Sequence, residues 1–146
     1  MFRPRRVLVP VDLSSTSDLL VRTAADLVRG GTGRLLLFHV FDQRAVEDVY
    51  NLHGLKEEEV RARMKANAEA ALARLARKPW LRSVRHEVKF ASGLPPEAIV
   101  AHAKSWRADL ILMARNRRTG IAQLLYGRTS DAVVREAPCA VLTLAP

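Results

Sequence analysis

Short apolar segments recur along this chain, and segments with helical spacing separate them. Runs rich in valine, leucine and isoleucine suit strands that are buried on both faces, as in parallel sheets. The pattern predicts five strands, over residues 7–11, 35–41, 84–90, 110–113 and 140–144. Because helical segments alternate with these strands, the predicted fold class is α/β. It is an open five-stranded parallel sheet with helices on both faces, which is a Rossmann-like arrangement.

The connections between the predicted strands differ in character. Ser15 is followed three residues later by Asp18, which resembles an N-cap pair that starts the first helix. Residues 42–55 are polar and predict an irregular stretch, after which an amphipathic pattern predicts a long helix over 56–78. The alternation of apolar and polar residues within 84–90 is typical of a strand near an edge of the sheet.

Length and composition limit the class of protein. With 146 residues, 49% of them hydrophobic, the chain is long enough for one core and too short for two ordinary domains, so a single domain over 1–146 is expected. The only cysteine, Cys139, excludes an intrachain disulfide and a cysteine-built zinc site. The apolar segment after the basic start ends at Asp12, which is too short for a signal peptide, and no segment approaches the ~20 apolar residues of a membrane span. We therefore expect a cytoplasmic protein without a membrane partner.

The chain is strongly basic, with 24 lysines and arginines against 15 acidic residues and a formal net charge of +9. All but five of the basic residues are arginine, whose guanidinium group is well suited to binding phosphate. Aromatic residues make up only 5% of the chain, and no nucleic-acid recognition motif occurs. Nucleic acid is therefore not the expected partner, although non-specific binding of an anionic polymer stays open as an alternative.

Ligands of open α/β sheets bind beyond the carboxyl ends of the strands, where the strand order reverses. This rule points to the residues after strand one, to 39–42 after strand two and to 114–129 after strand four. Asp12 follows strand one and is placed to accept hydrogen bonds from a ribose or a base. Alternatively, Asp12 or a following serine only caps the first helix, and the sequence leaves these two roles open.

Five blocks of the chain, correctly ordered and spaced, resemble the universal stress protein family: RVLVPVDLS at 6–14, LFHV at 37–40, ADLILM at 108–113, RTG at 118–120 and APCAVL at 137–142. The resemblance covers essentially the whole chain. It implies the adenine nucleotide alpha hydrolase-like form of the Rossmann-like fold, a cytoplasmic role in regulation or stress resistance, and no enzymatic activity. It also implies a homodimer formed through the last strand, Ala140 to Leu144, whose apolar edge suits pairing with a second copy.

Family members that bind ATP carry a loop of the form G-x2-G-x9-G-[S/T] after strand four, and this chain keeps the spacing but not the residues. Ala114 and Arg117 stand at the first two glycine positions, Gly127 keeps the third, and Arg128 replaces the serine or threonine. Small residues matter there because backbone N–H groups must approach phosphate oxygens closely. If the backbone at position 117 has to be left-handed, a residue with a side chain adds a cost of about 1–2 kcal/mol. The loop therefore predicts that the chain is not a conventional ATP binder.

The positions that the resemblance assigns to the adenosine end of the ligand are better preserved. Val40 matches the position whose backbone contacts adenine, and Asp12 matches the acidic residue at the adenosine end. An alternative function is therefore a sensor of ATP, AMP or a cyclic nucleotide, in which loop arginines hold phosphate in place of backbone amides. These arginines are Arg115, Arg117, Arg118 and Arg128. The candidate nucleotide-binding residues are Pro10, Val11, Asp12, Val40, Met113, Ala114, Arg117, Gly127, Arg128 and Thr129.

Motifs for catalysis and for metal binding do not occur in the sequence. There is no G-x4-G-K-[S/T] phosphate loop, no H-E-x-x-H motif and no G-x-S-x-G motif, so no catalytic residue or metal ligand is assigned. His39, at the end of the second strand, is interpreted as structural. Cys139 is interpreted as a small buried hydrophobic residue rather than a nucleophile.

Overall fold

A computed structural model describes residues 1–115 and 129–145 of the chain. Strands and helices alternate through these two ranges, except that two helices and a 3-10 turn lie between the second and third strands. The strands are β1 (Arg6–Pro10), β2 (Arg34–Asp42), β3 (Arg85–Gly93), β4 (Leu110–Ala114) and β5 (Ala140–Leu144). The helices are α1 (Thr16–Val28), α2 (Gln43–His53), α3 (Glu57–Ala76), α4 (Pro95–Trp106) and α5 (Thr129–Glu136), with a short 3-10 turn at Pro79–Leu81.

The five strands form one sheet in the order β3-β2-β1-β4-β5. Each pair of neighbouring strands is parallel. This arrangement confirms the predicted fold class. It also places at the two edges of the sheet the strands that the sequence assigned there, β3 and β5.

The side chains of β1 alternate between two hydrophobic cores, one on each face of the sheet. Val7 and Val9 point into the core that α1 and α3 cover, whereas Leu8 points into the core that α4 and α5 cover. All three side chains are fully buried, as expected for the central strand of a parallel sheet. Because helices cover both faces, the two ends of the strands are where polar side chains can gather.

The prediction of an irregular stretch over residues 42–55 was wrong, because Gln43–His53 forms the helix α2. Val46 is fully buried and packs against Phe41 of β2 and Val60 of α3. Valines recur three residues apart in this segment, which is helical spacing, but the polar residues between them conceal the pattern. Burial of one apolar face therefore outweighs the polar character of the segment.

The predicted N-cap pair of Ser15 and Asp18 was also wrong. Ser15 already has helical backbone angles (φ −59°, ψ −22°), and its side chain makes no capping hydrogen bond. A capping side chain normally needs an extended backbone to reach the free N–H groups of the first turn. Asp18 instead forms an ion pair with Lys78, with 3.2 Å between Oδ2 and Nζ.

Candidate functional site

A cleft of about 970 Å³ opens over the carboxyl ends of β1, β2 and β4. The strand order reverses beside β1, because the chain reaches β2 on one side of it and β4 on the other. The turn after β1 and parts of α2, α3, α4 and α5 complete the walls. The volume lies within the range of roughly 300–1,000 Å³ that is typical of small-molecule sites.

The structure brings together seven of the ten candidate residues around this cleft. Three come from the end of β1, one from β2, two from β4 and one from the start of α5: Pro10, Val11, Asp12, Val40, Met113, Ala114 and Thr129. The other three candidates, Arg117, Gly127 and Arg128, lie outside the described residues.

Asp12 organises the turn between β1 and α1. Its Oδ1 atom accepts hydrogen bonds from the backbone N–H of Ser14 at 2.9 Å, from the Ser14 hydroxyl, and from the Ser17 hydroxyl at 3.3 Å. Within residues 1–115 and 129–145, no hydrogen bond reaches Oδ2, and the side chain is exposed. One oxygen therefore holds the turn and leaves the other for a ligand. Within the described residues, Asp12 makes no hydrogen bond to a backbone N–H of α1, so the structure does not show the capping role that the sequence left open.

Leu13, the next residue, has a left-handed backbone with φ 63°. This conformation costs a residue with a side chain about 1–2 kcal/mol, and it is rare for large apolar residues. Leu13 is half-buried and packs against the core beneath α1, which offsets the cost. The left-handed residue turns the chain sharply after Asp12 and so sets the direction of its carboxylate.

The backbone at the end of β2 presents polar groups to the space beyond β1. The carbonyl oxygen of Phe38 accepts a hydrogen bond from the N–H of Val11 at 2.9 Å, so Phe38 directs its backbone polar groups toward β1. In a strand, these groups point to the same side at every second residue, which places those of Val40 on the β1 side as well. The pairing of β1 with β2 ends at Pro10 and Phe38. Val40 therefore directs one donor and one acceptor into the cleft.

His39 joins β2 to the turn after β1. Its Nδ1 atom lies 2.7 Å from the carbonyl oxygen of Val11, and its ring centre lies 5.5 Å from that of Phe90. Because a carbonyl only accepts, the Nδ1–H group donates, which fixes the tautomer of the neutral ring. These contacts support the interpretation of His39 as a structural residue, although it also lines the cleft.

The sequence analysis missed the residues that line the cleft from α2 and α3, among them Arg44, Met64 and Asn67. Arg44 forms a two-pronged ion pair with Asp42, with Nε 3.0 Å from Oδ1 and the second guanidinium nitrogen 2.7 Å from Oδ2. The hydrogen bond from Arg44 to Asp42 raises the pKa of the Arg44 guanidinium above its ordinary value. Recognition of the helical spacing within α2 would have placed Arg44 next to the end of β2.

Other reactive groups lie away from the cleft or do not cluster. The described residues contain no group of three or more His, Cys, Asp or Glu that could hold a metal ion. Cys139 is half-buried just before β5. Burial, followed by the charge of Asp109, raises the pKa of its thiol, which reduces the reactive thiolate form at neutral pH. Among the helices that the structure describes, none has the length and apolar character needed to span a membrane.

Comparison with known proteins gives one consistent result. Residues 4–144 match the model of the universal stress protein family. A universal stress protein of Methanocaldococcus jannaschii is 24% identical over 152 residues, which cover 96% of this chain and 94% of that protein. A solved structure of a universal stress protein in complex with cAMP has a TM-score of 0.73 at 19% identity, covering 99% of this chain and 98% of the other. The universal stress protein from Archaeoglobus fulgidus in complex with dAMP has a TM-score of 0.62 at 18% identity, covering 97% and 98%.

Proposed function

The chain belongs to the universal stress protein family, and from this premise we propose that it is a non-enzymatic regulatory protein. Its cleft binds an adenine nucleotide with a single phosphate, AMP or cyclic AMP, in preference to ATP. The observation that carries the proposal is that the backbone of Val40 and the carboxylate of Asp12 line one cleft. A backbone donor beside an acceptor complements adenine, which presents an amino group next to a ring nitrogen. The second carboxylate oxygen of Asp12 suits a ribose hydroxyl.

The phosphate end of the site disfavours a triphosphate. Arg117 and Arg128 stand where relatives that bind ATP have glycine and serine or threonine, so two small residues of the ATP-binding pattern are replaced by arginine. Arg115 is exposed directly after β4 and offers a guanidinium group to a single phosphate. The two structural neighbours in complex with cAMP and dAMP each hold a nucleotide with one phosphate, which supports the same preference by analogy.

Isothermal titration calorimetry at low salt tests the proposal. We expect AMP or cyclic AMP to bind at least about tenfold more tightly than ATP, which is about 1.4 kcal/mol of binding free energy. Asp12→Ala should abolish binding, whereas Ser15→Ala, a nearby exposed residue without a capping bond, should bind as the wild type does. Absence of binding heat with all three nucleotides would contradict the proposal.

A second experiment separates a loop that excludes ATP from a loop that holds phosphate with arginines. The triple variant Ala114→Gly, Arg117→Gly, Arg128→Ser restores the residues of the ATP-binding pattern. If the arginines exclude the triphosphate, the variant gains ATP binding and keeps AMP binding. Loss of AMP binding without a gain of ATP binding would show instead that the arginines hold the phosphate.

We also propose a homodimer formed through β5. This strand lies at the edge of the sheet, and Leu142 is 40% exposed while Val134 on the neighbouring helix α5 is 55% exposed. Pairing with a second copy covers the free edge and the apolar side chains. Light scattering should give a dimer mass for the wild type and a monomer mass for Leu142→Glu. Val88→Glu, which is placed at the opposite edge and is 47% exposed in the wild type, is the matched control and should stay dimeric.

The remaining parts of the proposal concern organisation and location. We propose that residues 1–146 form a single cytoplasmic domain without ATPase activity. We expect a single cooperative unfolding transition. We also expect the protein in the cytoplasmic fraction of lysed cells, and no release of phosphate from ATP. Two separate transitions would contradict the single domain, and turnover abolished by Asp12→Ala would contradict the non-enzymatic role.

A further inference from the structure

Three arginines stand in a row at the amino ends of the strands, which is the end of the sheet opposite the cleft. Arg6, Arg34 and Arg85 are the first residues of β1, β2 and β3, and the strand register pairs Arg6 with Arg34 and Arg34 with Arg85. Residues paired in register point to the same face of a sheet, and neighbouring strands lie ~4.8 Å apart. The three side chains therefore leave one face in a line whose α-carbons span about 10 Å.

Trp106, at the end of α4, fixes the position of two of these arginines. The guanidinium carbons of Arg6 and Arg34 lie 5.7 Å and 5.6 Å from the centre of a Trp106 ring, within the range of a cation–π contact. Arg6 also donates a hydrogen bond from Nη1 to the carbonyl oxygen of Trp106 at 2.6 Å. The indole N–H donates to Oε1 of Glu87 at 2.7 Å, which anchors the ring. Guanidinium groups held in place lose less conformational entropy when they bind a ligand.

The charge at this end of the sheet is only partly compensated, because five arginines and two carboxylates leave a formal net charge of +3. Arg5 and Arg107 are exposed beside the row, and we call the five residues Arg5, Arg6, Arg34, Arg85 and Arg107 the arginine edge. The two carboxylates nearby are engaged, because Asp109 accepts hydrogen bonds from the backbone N–H groups of Arg5 and Arg6, and Glu87 accepts from Trp106. In the parts of the chain that the structure describes, every ion pair lies elsewhere.

We propose that the arginine edge binds the phosphodiester backbone of single-stranded nucleic acid without sequence preference. Guanidinium groups bind phosphate oxygens with two parallel hydrogen bonds, and a row of them matches a chain of phosphates better than one isolated phosphate. The sequence contains no base-reading motif and only 5% aromatic residues, which is why nucleic acid was not the partner expected from the sequence. Contacts limited to the phosphate backbone need neither feature. The site is also separate from the nucleotide cleft. The nine residues of β2 separate the amino ends of the strands from their carboxyl ends by about 26 Å.

Fluorescence anisotropy with a labelled oligo-dT tests this proposal. The test variant is Arg34→Gln/Arg85→Gln. The matched control is Arg22→Gln/Arg63→Gln, two exposed arginines on α1 and α3 whose loss changes the net charge equally. Each phosphate contact with a single strand contributes a slope of about −0.7 in log K against log salt, so losing two contacts should weaken binding about 25-fold near 0.1 M salt. The control should change the affinity less than about threefold, because only its general electrostatic attraction is reduced.

The single variant Arg85→Gln keeps the test valid if the double variant folds poorly, because Arg85 is exposed, whereas the cation–π contacts with Trp106 come from Arg6 and Arg34. It should weaken binding about fivefold. Saturating AMP should leave oligonucleotide binding unchanged, so failure of the nucleotide proposal would not affect this result. Equal weakening by the two double variants, competition by AMP, or binding to phosphatidylglycerol vesicles without binding to the oligonucleotide would each overturn the proposal.

Discussion

The Nδ1 atom of His39 lies 2.7 Å from the carbonyl oxygen of Val11, so a side chain of β2 holds the backbone at the point where β1 ends. The N–H of Val11 is held in turn by the carbonyl oxygen of Phe38 at 2.9 Å. Both backbone polar groups of Val11 are therefore satisfied by β2. The residue that follows is Asp12, and its position over the cleft depends on this double attachment.

Replacement of His39 by phenylalanine should destabilise the protein and weaken AMP binding. The change keeps an aromatic ring beside Phe90 but leaves the carbonyl of Val11 without its donor, which costs about 1–3 kcal/mol for a buried group. Urea denaturation measures the loss of stability, and calorimetry measures the loss of affinity. His39→Asn is the matched control, since its amide nitrogen can donate from nearly the same place. Wild-type stability and affinity in His39→Phe would show that the hydrogen bond does not matter.

Replacement of Gly33 by alanine should destabilise the protein by about 1–3 kcal/mol, the usual cost of overpacking. A Cβ atom at this position would lie 2.8 Å from Cβ of Val28 and 3.1 Å from the carbonyl oxygen of Pro4. Neither neighbour can move easily, because Val28 belongs to the core beneath α1 and Pro4 is buried. Gly31→Ala is the control, since its Cβ would meet only the carbonyl oxygen of Val28 at an ordinary 3.6 Å. Urea midpoints that fall equally for both variants would contradict the steric explanation.

The sheet was predictable from the sequence because its strands carry local signals. Val7 and Leu8 belong to an apolar run that suits a strand covered on both faces, and the alternation in β3 identified an edge. The helix α2 was missed because its burial depends on Val46 meeting Val60, a contact that the fold creates. Local polarity suggested an irregular segment, and tertiary packing decided otherwise.

The candidate site was predictable only in part, for a similar reason. Asp12 and Val40 follow strands and could be assigned to the carboxyl edge from the order of the elements. The bond from the Ser17 hydroxyl to Asp12 depends on the exact turn at Leu13, which no local pattern predicts. The arginine row is a still clearer case. Its members are far apart in the chain, and only the register of three strands brings them into line.

The pH dependence of stability should reveal His102. Its ring stacks on Phe38 with centres 4.7 Å apart, and burial, followed by the charge of Lys89, lowers the pKa of His102 below its usual 6.5, while Glu87 opposes the shift. The unfolded chain therefore binds a proton more readily than the folded chain. Stability contributed by the neutral ring is complete above the unfolded pKa and is lost as the pH falls through the folded pKa.

His102→Phe keeps the stacked ring and removes the titration. Urea midpoints between about pH 5 and pH 7.5, the range in which histidine ionises, should decline less steeply toward acid for this variant than for the wild type. Subtracting the urea midpoints of the variant from those of the wild type at each pH isolates the contribution of His102 from that of the carboxylates that also titrate. Parallel pH profiles for the two proteins would contradict the assignment.

Arg107 couples the stability of α4 to the proposed nucleic-acid surface. It caps the carboxyl end of α4 with a left-handed backbone (φ 55°, ψ 49°), a position where glycine is preferred because it has no side chain. Arg107→Gly should therefore stabilise the protein by up to about 1 kcal/mol. The same change removes a charge from the arginine edge and should weaken oligo-dT binding about fivefold near 0.1 M salt.

Arg107→Gly is expected to raise stability and to weaken oligonucleotide binding. Because the two effects differ in direction, the two measurements together test the role of the charge. Arg107→Lys keeps both the charge and the left-handed strain, so its urea midpoint and its oligonucleotide affinity should stay close to those of the wild type. If the charge of Arg107 made no contact with nucleic acid, glycine would raise the urea midpoint and leave the anisotropy titration unchanged. A more stable variant that binds more weakly would instead mean that the chain retains a strained residue because its charge contacts phosphate.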